Sequence, residues 1–568
     1  MTSNSRSGRY TRRHIMRGGA GLGIGAGLIL AGCGDDDDDD NGGPSQNTPT
    51  TGAATPTPNA AQGGDETPAA QGGDLRYVSI GSPSNLDLFT QTTAQPLYHV
   101  GHIYSGLIGR RLDNSLNLTI EPDLATEWEQ VDGTTLNFTL REGVKWHNVA
   151  PTNGRELSTD DIQFSFERAK TGTPRPRKAQ FELVERIEFP DARTMQVTLK
   201  QPVAEFLSWM TDPYNIILPT EATDDFLKTG AAGTGPFVLQ EYRNGVGSTA
   251  VRNPDYFVDG QPYLDSIRVD DLPDQETMLT SFRAKNYDIS ASSAGGYLRA
   301  PQVDQVKSSI PDALFYRVPN LNVAHIRFNL EAEPFSDVRV RRAVDLVQDD
   351  ALWIEALAFG DASRTPAVPT GLGKWSLPLD ELPSRPDIQQ AMSLLAEAGI
   401  STSNPISVRN VMLGSPPSAQ STQGAAILEE ALRPLGINVE TTFLDFGAWT
   451  EALVGKNFDM NLIAGVLGFT EPGTYVETYY WDEGGRGYTK HGDSVLNDMI
   501  VAQRTMIDEE QRLSTIHDIQ RHVADNAYYS HLFADNITIA TLPSVRNFRL
   551  DFLHGGNLRY WGEVWLQS

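Results

Sequence analysis

Apolar and polar residues alternate in two different ways along the chain. From residue 74 to about 290, segments such as TTLNFTLREG place Leu136, Phe138 and Leu140 on one face and polar residues on the other, the alternation of a half-buried strand. The segment RTMQVTLKQP repeats this alternation. Between the two, STDDIQFSFERAK begins with the serine and aspartate spacing of a capping box, which predicts a helix from about residue 159.

From about residue 335 to 465 the pattern changes to helices that alternate with strands. VRVRRAVDLV places Val340, Ala343 and Val344 on one helical face, and IQQAMSLLAEAGI predicts a helix that ends at Gly399. PISVRNVML and INVETTFL predict strands on either side of a helix in GAAILEEALRPLG. This order predicts a largely parallel sheet covered on both faces. Two further helices are predicted at about 493–507 and 509–527, before a strand-rich tail.

The first 33 residues have the order of features found in an export signal. Arginines without any acid precede a glycine-diluted apolar stretch at 18–32, which is too short to span a bilayer. Arg12 and Arg13 stand just before that stretch, as in a twin-arginine signal. The following LAGC sequence resembles a lipobox. Residues 1–32 are therefore predicted to be a twin-arginine lipoprotein signal, with Cys33 as the lipid anchor on the outer, periplasmic or cell-surface side of the cell membrane.

Residues 33–73 are predicted to be a lipidated, disordered linker. Beyond the cysteine, this segment contains no aromatic residue, Leu, Ile, Val or Met, so it cannot bury enough surface to fold. Cys33 is the only cysteine of the chain, which leaves none for a disulfide, a thiolate nucleophile or a Cys-ligated metal. Residues 74–568 form a chain longer than one compact core normally holds, so two or more lobes are expected.

The strongly acidic composition limits the possible partners. The chain has 46 basic and 73 acidic residues and a formal net charge of −27, which argues against nucleic acid and against an anionic membrane surface as partners. The motifs G-x-S-x-G, H-E-x-x-H and G-x-x-x-x-G-K-[ST] do not occur in the sequence. The chain is accordingly predicted to have no catalytic residue, no cofactor and no dedicated metal site.

Aromatic residues on segments rich in glycine and proline are candidates for a ligand cleft. Trp375, Phe469, Tyr475 and Trp481 lie on such segments rather than on a periodic face. Aromatic side chains on loops line many small-molecule sites, although packing in the core is the alternative for each of them. A cleft needs two walls, and two unlike lobes would supply them.

Several segments together resemble one known family. They include IYSGLIGR, IEPDLATEWE, LNFTLREGVKWHN, GTGPFVLQEY and FNLEAEPFSDVRVRRAV. Over nearly all of residues 75–568 the chain is similar to the family 5 solute-binding proteins of ABC importers, which include dipeptide-, oligopeptide- and nickel-binding proteins. The resemblance assigns most of these motifs to the scaffold of the first lobe rather than to ligand contacts.

The resemblance implies an α/β fold of the periplasmic-binding-protein type. Two hinged lobes, built from mixed sheets flanked by helices, would close on a ligand. Lobe I is expected to be discontinuous, with a first part at 74–290 that includes a strand-rich subdomain and a return segment at 532–568. Lobe II is expected at 291–531.

The resemblance also implies a function and a site. The chain is expected to be a monomeric lipoprotein that captures a peptide or similar small polar solute between its lobes and delivers it to ABC permease subunits, without chemistry. The residues predicted to contact the ligand are Asn85, Leu86, Asp87, Trp375, Phe469, Glu471, Tyr475 and Trp481.

One departure from the family pattern concerns the ligand. Gly468 stands where peptide-binding members often carry an aspartate that pairs with the α-ammonium of the peptide. Glu471 or Asp445 could replace that acid, or the ligand is an oligosaccharide or another non-peptide solute. Two more distant alternatives are a surface-anchored hydrolase and an adhesive or sensor domain that uses the same cleft without an importer.

Overall fold

The fold is built around two four-stranded sheets and one seven-stranded sheet. The computed structural model describes residues 69–91, 93–112, 118–172, 176–290, 297–463, 469–484, 486–550 and 558–567. We call the described residues up to 290 the N-terminal half and those from 297 onward the C-terminal half. Arg12, Arg13, Cys33 and Gly468 lie outside the described residues. No helix in the described ranges is long and apolar enough to cross a membrane.

The N-terminal half begins with a strand and is dominated by strands. Its strands are β1 (Asp74–Ile80), β2 (Ile108–Leu112), β3 (Leu118–Pro122), β4 (Ala125–Gln130), β5 (Thr135–Leu140), β6 (Val184–Glu188), β7 (Thr194–Leu199), β8 (Phe237–Arg243), β9 (Gly247–Arg252) and β10 (Ser266–Leu272). Its helices are α1 (Gln95–Val100), α2 (Thr159–Lys170), α3 (Lys178–Glu182), α4 (Phe206–Met210), α5 (Asp224–Thr229) and α6 (Gln275–Arg283).

The strands of this half form two four-stranded sheets and a β2–β3 hairpin. One sheet has the order β1-β10-β9-β8, with β1 parallel to β10, and the other has the antiparallel order β4-β5-β7-β6. Leu136, Phe138 and Leu140 are buried on one face of β5, which confirms the predicted alternation. Helix α2 begins behind a capping box formed by Ser158 and Asp161, also as predicted.

Two glycines of the GTGPF segment let neighbouring loops approach closely. A Cβ at Gly233 would lie 1.9 Å from the carbonyl oxygen of Ile103, and one at Gly235 would lie 2.7 Å from its carbonyl carbon. The Gly233 amide donates to His147 Nδ1 at 3.2 Å, and His147 Nε2 donates to the Gly235 carbonyl at 3.0 Å. These motif segments therefore bind one another and stabilise the N-terminal half.

The C-terminal half alternates helices with strands. Its strands are β11 (Leu314–Pro319), β12 (Ala324–Phe328), β13 (Ala362–Arg364), β14 (Ile406–Leu413), β15 (Ile437–Leu444), β16 (Met460–Ile463), β17 (Tyr529–Thr541), β18 (Val545–Arg546) and β19 (Trp565–Leu566). Its helices are α7 (Ala300–Ser309), α8 (Val338–Leu346), α9 (Asp350–Ala358), α10 (Ile388–Glu397), α11 (Ala419–Leu432), α12 (Phe446–Val454), α13 (Pro472–Tyr480), α14 (Ser494–Gln503) and α15 (Glu509–Asp525).

The seven-stranded sheet is mixed, as the family resemblance implied, so the separate expectation of a largely parallel sheet holds only for β14, β15 and β16. Its order is β11-β17-β12-β16-β14-β15, with β13 also paired to β17. Strand β14 is parallel to β15 and β16, whereas β11, β12 and β13 are each antiparallel to β17. The physical reason is the late strand β17, which returns from helix α15 and inserts between two earlier strands. The helices predicted around this sheet are confirmed, and Gly399 follows α10 with a left-handed φ of 78°.

The two halves are bonded to each other where the chain leaves the N-terminal half. The Ser290 amide donates to the Ala540 carbonyl at 2.8 Å, and the Leu542 amide donates to the Asp288 carbonyl at 2.8 Å. One apolar cluster fills the N-terminal half and continues into helices α13 to α15. A second cluster packs helices α8 to α11 against the seven-stranded sheet.

Candidate functional site

A pocket of about 320 Å³ lies where the two halves meet. Its volume is in the range of small-molecule sites. The N-terminal half supplies lining residues from β3 and from the start of α4, and the C-terminal half supplies three separate segments. The lining residues are Ile120, Ala204, Leu207, Ser208, Gly371, Leu372, Lys374, Trp375, Thr470, Glu471, Met506, Ile507, Glu509 and Arg512.

Trp375 forms one wall of this pocket. It ends a 3-10 helix, and its carbonyl oxygen accepts a hydrogen bond from Gln520 Nε2 at 2.8 Å. The guanidinium carbon of Arg512 lies 5.2 Å from the indole ring centre, within reach of a cation–π contact. Lys374, next in the chain, is paired with Glu509 of the same pocket. The indole is thus held in place between charged neighbours.

Glu471 brings a carboxylate to the same pocket. It is the N-cap residue of α13, and its Oε2 accepts a hydrogen bond from Arg512 Nη2 at 3.3 Å. Burial and then the nearby Glu205 carboxylate raise the pKa of Glu471 to about 7, against the opposing effect of Arg512. Since both causes disfavour the ionised form, a cation placed beside Glu471 would stabilise its charge.

A network of buried charges lies behind the pocket wall. Arg512 donates to Glu205 Oε1 at 2.6 Å through Nη2 and to Gln503 Oε1 at 3.1 Å through Nε. Glu477 pairs with Arg504 at 2.8 Å and accepts from Gln503 Nε2 at 3.0 Å. Burial and then Glu205 raise the pKa of Glu477 to about 7. Within the described ranges, no group of three or more His, Cys, Asp or Glu side chains is arranged to hold a metal ion.

The other predicted aromatic residues lie behind the pocket segment. Phe469, Tyr475 and Tyr479 form a cluster whose ring centres are 5.0 to 6.2 Å apart, and Tyr475 is fully buried. Trp481 packs under Arg504, whose guanidinium carbon lies 4.3 Å from the ring centre. In this structure these aromatic side chains support the chain segment that carries Glu471, and they do not line the pocket.

The predicted residues near the start of the N-terminal half form a local capping cluster. Asp87 Oδ1 accepts from the Phe89 amide at 3.1 Å, and Asp87 Oδ2 pairs with Arg168 at 2.8 Å. Asn85 Oδ1 accepts from the Asp87 amide at 2.9 Å, and Leu86 is 1% exposed. These three residues are not among those that line the pocket. The structure therefore brings together only Trp375 and Glu471 of the predicted ligand residues.

Sequence reasoning missed Glu205 and Arg512. Glu205 and Arg512 are 307 positions apart, and neither belongs to a recognisable motif. A weak signal was available at Glu205, because this acid stands in an otherwise apolar segment, VAEFLSWM, where burial of a charge requires a partner.

The fold and this pocket define a class of protein. Two unlike halves, bonded to each other beside the chain connection and enclosing a pocket at their meeting point, are the architecture of a two-lobed binding protein. Residues 119–486 match the pattern of bacterial extracellular solute-binding proteins, family 5 Middle. Because this match covers more than half of the chain, the chain belongs to that family.

Individual relatives agree with this assignment. Di/tripeptide-binding protein 2 of Pseudomonas aeruginosa is 26% identical over 431 residues, which cover 71% of this chain and 79% of the relative. Heme-binding protein A of Haemophilus influenzae is 32% identical over 305 residues, which cover 49% of this chain and 54% of the relative. Among solved structures, the periplasmic binding protein DppA from Helicobacter pylori, in complex with the peptide STSA, has a TM-score of 0.68 and 22% identity. That comparison covers 88% of this chain and 99% of the other.

Proposed function

We propose that this protein is the substrate-binding component of an ABC importer and that it captures a peptide in the pocket between its halves. The observation that carries the proposal is that Glu471 and Trp375 line one pocket in a family 5 chain. The names of several relatives, such as the di/tripeptide-binding proteins of Pseudomonas aeruginosa and the dipeptide-binding protein of Escherichia coli, support a peptide as the ligand.

The α-ammonium group of the peptide is proposed to bind Glu471. One guanidinium, that of Arg512, binds the carboxylates of both Glu205 and Glu471. The ammonium group of the ligand would therefore neutralise the second of these two negative charges. The Thr470 hydroxyl of the pocket, which accepts from Arg110 at 3.2 Å, can donate to a carbonyl of the peptide backbone. The indole of Trp375 offers an apolar face to a side chain. Phe469, Tyr475 and Trp481 act in this proposal by supporting the wall, and Asn85, Leu86 and Asp87 by shaping the facing half.

The remaining expectations complete the proposal. Lobe I would comprise 74–290 and 532–568, and lobe II 291–531, with the crossing near Ser290 and Ala540 as the hinge. Lipidation of Cys33, after twin-arginine export, would hold a monomeric receptor beside its permease. The protein binds and releases its ligand unchanged, so its function depends on differential affinity between open and closed states. An oligosaccharide is the disfavoured alternative ligand, since a neutral sugar would leave the charge of Glu471 uncompensated.

A binding screen with the purified full-length protein tests the proposal. Thermal unfolding is followed with di- to pentapeptides, the same peptides with an acetylated N-terminus, oligosaccharides and nickel. Ligands that bind only the folded state raise the melting temperature, so free peptides are expected to raise it and their acetylated forms much less. A shift with sugars alone, or with acetylated and free peptides equally, would contradict the peptide ammonium site.

A further inference from the structure

Glu205 is a buried carboxylate whose bonds cross from one half of the molecule to the other. It directly precedes α4 in the N-terminal half and is only 3% exposed. Its Oε1 accepts from Arg512 Nη2 at 2.6 Å, and its Oε2 accepts from Thr474 Oγ1 at 2.7 Å. Within its own helix, Trp209 Nε1 donates to Oε2 at 3.0 Å. Two of these three donors therefore belong to the C-terminal half.

The receiving surface is shaped to admit this carboxylate. A Cβ at Gly473, in the first turn of α13, would lie 1.9 Å from Glu205 Oε1 and 2.5 Å from Gln503 Oε1. Any side chain there would displace Glu205, so glycine is required for close approach rather than for its backbone angles. The N-terminal end of α13 also carries the positive end of the helix dipole, which favours a carboxylate.

The same contacts reach the proposed ligand site without Glu205 itself lining it. Arg512 lines the pocket, lies near the Trp375 ring and also binds Glu471. The neighbours of Glu205 in sequence, Ala204 and Ser208 among them, line the pocket from the N-terminal half. A change at Glu205 would therefore alter the position of both walls and the charge around Glu471, although no ligand atom needs to touch it.

We infer that Glu205 is a positioning residue that couples docking of the two halves to ligand binding. Its carboxylate ties the N-terminal half to Arg512, Thr474 and Gly473, and so fixes Arg512 in the pocket wall. The inference rests on the proposed function, because it assigns the docked halves to the ligand-bound state. Other contacts between the halves, such as the Ala204 amide to the Arg504 carbonyl at 2.8 Å, would remain when Glu205 is changed.

The test compares two variants. Glu205→Gln keeps the size of the side chain and removes its charge, and Gly473→Ala places a methyl group where the Glu205 carboxylate lies. Glu221→Gln is the matched control, because Glu221 pairs with Arg155 inside the N-terminal half. Peptide affinity is measured by calorimetry, and the radius of gyration is measured by X-ray scattering with and without peptide. Loss of one partner of a buried charge pair is expected to weaken affinity about tenfold or more and to reduce the ligand-induced compaction. The control should match the wild type.

Four outcomes decide the inference. Wild-type affinity and compaction in folded Glu205→Gln and Gly473→Ala would overturn it. If neither variant folds, Thr474→Val, which removes one cross-half donor, must weaken binding for the inference to stand. If the wild type binds no peptide, the proposed function fails, and the coupling is then judged by the ligand-free radius of gyration, which Glu205→Gln must increase. A shift of the pH dependence of affinity to lower pH in Glu205→Gln would distinguish positioning from general destabilisation, because Glu205 raises the pKa of Glu471.

Discussion

At the scale of single residues, Glu471 sets an expected pH dependence of ligand binding. Its pKa is raised from 4.5 to about 7, so the folded, unliganded protein holds this proton more tightly than the unfolded chain. The contribution of this group to stability is therefore largest at low pH and decreases as pH rises through about 7. An ammonium group binds the ionised carboxylate, so peptide affinity is expected to increase as pH rises through about 7. Below that pH, peptide binding is expected to release the proton of Glu471.

Calorimetry in two buffers with different ionisation enthalpies measures that proton release. Glu471→Gln is expected to abolish both the release and the pH dependence, and to weaken free peptides more than acetylated ones. Glu509→Gln is the matched control, since Glu509 lines the same pocket but is paired with Lys374. An unchanged pH profile in Glu471→Gln would remove this residue from the ammonium site.

Trp375 carries the second prediction at this scale. Trp375→Ala removes the apolar wall and a cation–π partner of Arg512, so peptide binding is expected to weaken by about 2 kcal/mol in calorimetric titrations. Trp481→Ala should have a smaller effect, because Trp481 packs on Arg504 outside the lining. Trp128→Ala, a change in β4, which supplies no lining residue, serves as the control. Equal losses from all three variants would indicate general destabilisation instead.

Only part of the site was accessible to sequence reasoning at this scale. Trp375 was predicted as an aromatic residue on a Gly/Pro-rich segment and Glu471 through the family resemblance, and both line the pocket. Tyr475 was predicted on the same grounds as Trp375, and Leu86 as part of the facing wall, yet the structure buries both side chains. Position relative to a pocket depends on packing between distant segments, and residue type cannot reveal it.

At the scale of elements, helix α2 shows how one buried acid fixes a helix start. Asp161 is fully buried and accepts bonds from Arg155 at 2.6 Å, Trp146 at 3.1 Å and the Ser158 and Thr220 amides at 2.9 Å. Burial disfavours its charge, but these bonds prevail and lower the pKa of Asp161 below 3.8. Its stabilising contribution is thus present above pH 3.8 and is lost as pH falls through the lowered value.

Asp161→Asn is expected to reduce the free energy of unfolding by about 2–4 kcal/mol, because Arg155 and the amides lose their charged acceptor. Denaturant titration at neutral pH measures this loss. Asp160→Asn is the control, since Asp160 is the exposed neighbour in the same helical turn. The difference between the Asp161→Asn variant and the wild type should shrink in acid, where the wild-type carboxylate is protonated. A constant difference across pH would contradict the assigned role of the charge.

Element type was predictable where the evidence is local, and strand direction was not. The capping box of α2, the alternation in β5 and the glycine after α10 are all contained within a few residues. The mixed seven-stranded sheet depends on β17, whose partners β11, β12 and β13 lie more than 160 residues earlier in the chain. Hydrophobic periodicity contains no information on such pairings, which explains the incorrect expectation of a largely parallel sheet.

At the scale of the whole molecule, two adjacent chain segments locate the hinge of the proposed receptor. Ser290 and Ala540 are bonded side by side, near the positions where the family resemblance placed the exits from the first lobe. The contacts of Glu205 with Arg512 and Thr474 lie elsewhere, at the meeting of the halves. A hinge at one place and a docking contact at another are the two parts that a closing receptor requires.

Anchoring gives the last prediction, because the proposed lipidation of Cys33 would serve delivery of the ligand and not its capture. Cys33 has no second cysteine to pair with, and the formal net charge of −27 disfavours binding to an anionic membrane surface. Cys33→Ser is therefore expected to move the exported protein from the membrane fraction to the soluble fraction, with peptide affinity unchanged. Peptide uptake by cells should fall, since the receptor is no longer concentrated beside its permease. Retention of the Cys33→Ser protein in the membrane fraction would show that another segment anchors it, whereas a loss of affinity would show that the anchor contributes to the binding site.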